Sequence, residues 1–166
     1  TTKCKYDRIE HILNNLRQGD HMLIYEGTKV VYEEILDEAR LSAKDGNKRV
    51  VIVKGGPGTG KSVVAVNLLA ELTKEDQFCQ YVSKNSAPRN VYRKKLKGSI
   101  RKSSVDNMFK GSGIYTETDN NMVDIVLVDE AHRLNEKSGM FHNMGENQIK
   151  EIIHAAKCSI FFIDES

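Results

Sequence analysis

Apolar positions along the chain fall into two kinds of run. Lys5 to Arg17 carries Ile9, Ile12, Leu13 and Leu16 at helical spacing. Val30 to Ala43 repeats the pattern with Val31, Ile35, Leu36 and Ala39, until "KDGN" stops it. Both predict amphipathic helices. Shorter runs are apolar on both faces: Val50–Val53, Phe78–Val82, "IVLV" at Ile125–Val128 and "SIFFI" at Ser159–Ile163. These predict buried strands. Ser62–Leu72 reads as a helix buried nearly all round, and Glu146–Lys157 reads as a helix. Pro88 fits the start of a helix running to about Leu96. Leu134–Gly145 reads as a loop, and Gly98–Asn121, rich in glycine, serine and asparagine, takes no assignment.

Strands alternating with helices predict an α/β fold in which helices cover both faces of a parallel sheet, giving three layers. Right-handed crossovers then bring every strand's C-terminal end to one edge. That edge collects Gly55, Ser83, Asp129 and Asp164, and the chemistry is expected there.

The stretch between the first strand and its helix is "GGPGTGKS", Gly55, Gly56, Pro57, Gly58, Thr59, Gly60, Lys61 and Ser62. It fits G-x-x-x-x-G-K-[ST], the P-loop, in the strand-before, helix-after setting that the motif requires. Glycines let backbone N–H groups converge on phosphates where a Cβ would clash. The helix adds its positive end. Lys61 supplies a full charge to the β- and γ-phosphates, and Ser62 a hydroxyl for Mg²⁺. The expected ligand is ATP or another nucleoside triphosphate.

"IVLVDEAH", Ile125–His132, adds the means of hydrolysis. Asp129 ends a buried strand on the same edge, placed to hold Mg²⁺ through water. Glu130 can take a proton from an attacking water, a role worth ~10²–10⁴-fold in rate. His132 follows on that edge and is a candidate link between the nucleotide site and elements beyond it. His142 and His154 have no partner at metal-ligand spacing.

Taken in order, "VVIVKGGPGTGKSVVAVNLL", "YVSKNSAPRNVYRKKL", "VDEAHRLNEKSG", "GENQIKEIIHAAK" and "FFIDES" resemble the Schlafen group 3-like DNA/RNA helicase domains. That family is related to superfamily 1 helicases, and the resemblance runs from about Glu26 to the last residue. It implies a RecA-like P-loop NTPase of the additional-strand type, with the "SIFFI" strand between the P-loop strand and the "DEAH" strand. It also implies Lys61 and Ser62 as motif I, and Asp129 and Glu130 as motif II. Ser83, Lys84, Asn85 and Arg89 stand where motif Ia touches the nucleic-acid backbone, and residues 104–110 where a neighbouring strand-contact segment lies. Asp164 falls at the start of motif III. Thr28 occupies the place of the adenine-reading glutamine, which leaves the base open.

The resemblance further implies that this is roughly half of an ATPase unit. Residues 49–166 would be the first RecA-like domain, incomplete at motif III, and 1–48 a helical lead-in packed on it as one compact unit. The second RecA-like domain with its arginine finger would be missing, so hydrolysis by this chain alone is expected to be very slow or absent. The implied activity is nucleic-acid-linked NTP hydrolysis. The rival is a nucleotide-dependent switch or signalling ATPase that gates an attached effector without unwinding.

Net charge is only +2, yet eight Lys or Arg and no Asp or Glu lie between Gln77 and Val105. Such a stretch suits phosphate contact. Only Tyr92 and Phe109 are nearby candidates for base stacking, which gives no support to sequence-specific readout. With the resemblance and the basic stretch together, the expected partner is DNA or RNA, single-stranded and bound without sequence specificity. No apolar run approaches the ~18–20 residues of a membrane span. Three cysteines in no metal-like spacing, Cys4, Cys79 and Cys158, suit reduced thiols in a cytoplasmic protein.

Overall fold

The structure is a computed structural model that describes residues 12, 21–26, 32–55, 61–83, 108–110, 114–131 and 148–164. Six parallel strands form one sheet: β1 (His21–Glu26), β2 (Arg49–Gly55), β3 (Cys79–Val82), β4 (Phe109–Lys110), β5 (Val123–Val128) and β6 (Ala156–Asp164). Their spatial order is β1-β2-β6-β5-β3-β4. The expected insertion of the "SIFFI" strand between the P-loop and "DEAH" strands is therefore present. All three described helices connect consecutive strands: α1 (Tyr32–Asp45), α2 (Lys61–Lys74) and α3 (Gln148–Ala155).

Alternation along each strand sends side chains to two cores. Val51, Val53, Ile125, Leu127, Ile160 and Phe162 pack against Ile35, Leu36 and Ala39 of α1 and Leu68, Leu69 and Leu72 of α2. Val50, Ile52, Val126, Val128, Phe161 and Ile163 meet Ile149, Ile152 and Ile153 of α3 on the other face, together with Ile12. Every strand residue from Val50 to Val53 and from Ile125 to Val128 is buried, which explains why these runs carry no polar alternation.

Local chemistry sets the ends of the elements. Glu33 and Glu34 occupy the first turn of α1 and Lys44 its last, matching the helix dipole. Gly46 (φ +70) then closes α1, its N–H donating to the Ser42 carbonyl at 3.1 Å. At the far end of α3, Lys48 Nζ donates to the carbonyls of Ile153, His154 and Ala156 at 2.5, 3.2 and 3.0 Å. A cation thus caps the negative helix end where the chain turns into β6. Arg49 starts β2 and is bonded to Asp45 (2.8 and 2.6 Å) and Glu38 (3.2 Å). Those bonds hold the Asp45 carboxyl well below the ordinary carboxylate range. Burial pushes the thiols of Cys79 and Cys158 up to about 12, so both are inert core residues.

Two strands depart from the expected pattern. β1 adds a parallel edge to β2 within what reads as a helical lead-in, so residues on both sides of position 48 share one sheet. β4 arises in the unassigned Gly98–Asn121 region and pairs with β3 through Tyr81 and Val82. The helices expected at Lys5–Arg17 and Pro88–Leu96 lie outside the described residues, except for Ile12, which is helical and buried.

Candidate nucleotide site

The C-terminal edge of the sheet brings the loop and the acids together. β2 ends at Gly55 and α2 begins at Lys61, whose Nζ donates to the Gly55 carbonyl at 2.9 Å. Strand end and helix start are thus within one lysine side chain of each other. Gly56, Pro57, Gly58, Thr59 and Gly60 lie outside the described residues. Ser62 is the second residue of α2. The first turn of α2 carries no acidic residue and starts with a lysine, the reverse of what a helix dipole favours. A local rule broken in this sense fits a place kept for an anion.

Beyond β6, which separates β2 from β5, Asp129 follows β5 directly. Its N–H donates to the Val82 carbonyl at 2.9 Å, continuing the β3–β5 ladder by one residue. The carboxylate is held at both oxygens. Tyr81 OH donates to Oδ2 at 2.5 Å, and the Glu130 N–H donates to Oδ1 at 3.0 Å. Glu130 has φ +51, a left-handed conformation that costs a non-glycine residue of order 1 kcal/mol. This turn swings the chain off the strand immediately after Asp129, keeping Glu130 at the edge and only partly buried. Asp164 is the last residue of β6, paired in register with Gly55. The strand-end positions predicted to converge, Gly55, Ser83, Asp129 and Asp164, do share this edge.

Other predicted positions fare differently. Ser83 follows β3 and is only 1% exposed. Lys84, Asn85, Arg89 and His132 lie outside the described residues. Phe109, a candidate for base stacking, is a core residue instead: it is 3% exposed, with its ring centroid 5.5 Å from that of Tyr81. Its place on β4 turns the ring inward, so it cannot stack on a base. Sequence reasoning missed Tyr81 altogether. Only the β3–β5 register, which pairs Tyr81 with Leu127, brings its hydroxyl to Asp129.

The donor set suits magnesium. Asp129 offers hard carboxylate oxygens at a buried strand end, on the sheet edge where the helix beginning with Lys61 and Ser62 also starts. Among the described residues no three or more His, Cys, Asp or Glu cluster to hold an ion by themselves. Magnesium at nucleotide sites needs no such cage, because one or two carboxylates, phosphate oxygens and water complete its shell.

The family described as Schlafen group 3, DNA/RNA helicase domain, matches residues 48–166. The chain belongs to that family. A curated relative, Protein RecA of Marinobacter nauticus (strain ATCC 700491 / DSM 11845 / VT8), is 26% identical over 105 residues, which is 61% of this chain and 30% of RecA. The chain therefore spans less than a third of that relative's length. No solved structure matches. As a Schlafen group 3 domain with a parallel α/β sheet, the chain is helicase-like, of the nucleotide-binding, RecA-like kind. No described helix is long and apolar enough to cross a membrane.

Proposed function

We propose that this domain binds ATP or another nucleoside triphosphate with Mg²⁺ and, within the whole protein, hydrolyses it in step with contact to single-stranded DNA or RNA. The observation that carries this reading is the Lys61–Gly55 contact inside a P-loop sequence, with Asp129 at the end of β5 on the same sheet edge, across β6. Gly55 to Gly60 and the start of α2 cradle the phosphates, and Lys61 neutralises their charge. Ser62 and Asp129 hold the metal, which when bound offsets charge on the β- and γ-phosphates. Glu130 orients water and takes its proton. Asp164 and His132 are assigned to coupling between nucleotide and nucleic acid.

Residues 49–166 are read as a first RecA-like domain, with 1–48 packed on it. The share of the sheet that β1 contributes supports treating both as one unit. A cation supplied by a second domain is worth ~10³–10⁵ in rate, so hydrolysis by this chain alone is expected near background. Free thiols at Cys79 and Cys158 suit a reducing, cytoplasmic setting. Nucleic-acid contact is assigned to Lys84, Asn85 and Arg89, since a hydroxyl as buried as that of Ser83 is a poor surface partner.

Titration of a fluorescent ATP analogue tests the core of the reading. Saturable binding that Mg²⁺ strengthens and EDTA weakens is the expected result. Absence of binding at millimolar analogue would reject a nucleotide site.

A further inference from the structure

Tyr81 is fully buried on the face of the sheet that α1 and α2 cover, and its ring packs on Phe109 at an interplanar angle of 51°. Packing alone does not ask for a hydroxyl there, because a phenylalanine would fill nearly the same volume. The hydroxyl ends at Asp129 Oδ2, while the Glu130 N–H reaches Oδ1. Two donors from different directions, one fixed by the β3–β5 ladder and one by the left-handed turn at Glu130, pin the carboxylate in rotation. Each carboxylate oxygen has lone-pair capacity for more than one partner, so these two bonds do not by themselves exhaust what Asp129 can accept.

Resting on the nucleotide reading above, we propose that Tyr81 is a positioning residue: its hydroxyl orients Asp129 toward the magnesium–nucleotide complex. Groups that hydrogen-bond a metal-site carboxylate from behind commonly set affinity for the ion, and losing one costs about tenfold or more. Tyr81 also ties the site to the core, because the same ring is anchored against β4.

Tyr81→Phe removes the hydroxyl and keeps the ring. Two readouts separate positioning from packing: affinity for a fluorescent ATP analogue in EDTA, and affinity of the nucleotide-loaded chain for Mn²⁺ measured by paramagnetic resonance. The expected result is unchanged nucleotide affinity in EDTA with about tenfold weaker Mn²⁺ binding. Unchanged Mn²⁺ affinity would overturn the proposal. Phe109→Leu perturbs the same packing without touching the hydroxyl. It should lower the thermal midpoint and spare Mn²⁺ binding, and an equal loss of Mn²⁺ affinity would also overturn the proposal.

Should Tyr81→Phe not fold, NMR of the unsubstituted chain decides. A slowly exchanging Tyr81 hydroxyl proton that persists with Mg²⁺ and nucleotide supports the contact, and its disappearance rejects it. Failure of the unsubstituted chain to bind nucleotide at all is a different result, and it removes the nucleotide reading itself.

Discussion

The Lys61 amine donates to the Gly55 carbonyl at 2.9 Å, joining the start of α2 to the end of β2. Lys61 is only 8% exposed, at the positive end of a helix with no acid in its first turn. Positive charge is concentrated there with little water to screen it, and an arriving phosphate gains from both the amine and the helix end. Lys61→Ala should therefore weaken nucleotide binding about tenfold to a hundredfold, in line with a charged hydrogen bond of ~1.5–3 kcal/mol. Equilibrium titration of the variant, with a thermal melt to show that it folds, is the check.

Glu130 combines a carboxylate at the sheet edge with a backbone that only the left-handed region provides. Glu130→Gln keeps shape and backbone and removes the base. In the whole protein, nucleotide binding should persist while hydrolysis falls ~10²–10⁴-fold. Intact hydrolysis in that variant would transfer the base role to another residue.

Much of this site could be read along the chain because its parts are contiguous. A loop from Gly55 to Ser62 and an acid pair at Asp129 and Glu130 follow apolar runs that bury on both faces, and runs of that kind show in sequence. β1 was less legible because it is an edge strand: Leu23 and Tyr25 pack inward, while Met22 and Ile24 stay about 40% exposed. Its apolar residues therefore do not alternate with polar ones. β4 has two residues, too few for any period. The Tyr81–Asp129 contact joins positions 48 residues apart, and nothing local at either residue announces it.

Ser159 gives a stability test away from the site. It lies mid-strand on β6 between Val50 and Val126, fully buried, and its Oγ has no hydrogen-bond partner among the described residues. A buried hydroxyl left unsatisfied costs ~1–3 kcal/mol. Ser159→Ala removes it and leaves only a small void, so denaturant unfolding should show a gain of about 1 kcal/mol. A loss would mean that the void outweighs the hydroxyl.

The Asp45–Arg49 pair predicts a pH dependence. Its carboxyl is depressed below the ordinary value of 3.8, chiefly by the Arg49 hydrogen bond and then by the Asn47 N–H. A depressed carboxyl stabilises the fold above its unfolded pKa, and that contribution is lost as pH falls toward the folded one. Asp45→Asn should therefore lower the thermal midpoint at pH 7. The gap from the parent should shrink steadily in melts taken below about pH 4. A gap that stays constant into strong acid would assign the effect to shape rather than charge.

The basic stretch after β3 supplies the test of nucleic-acid contact. Lys84 and Arg89 follow a strand that ends at the nucleotide edge, whereas Lys94 and Lys95 come later in a run that also suits a solvated helix face. If the first pair touches phosphates, replacing both with alanine should weaken single-strand binding irrespective of sequence. It should also flatten the log–log salt dependence by ~0.7 for each phosphate no longer neutralised. Replacing Lys94 and Lys95 should do less on both counts. The order of the two effects carries the argument, because a diffuse attraction would make the double variants equivalent. Equal weakening would reduce the stretch to a general basic surface. No binding by the whole protein, at low salt with nucleotide present, would favour the switch that gates an effector.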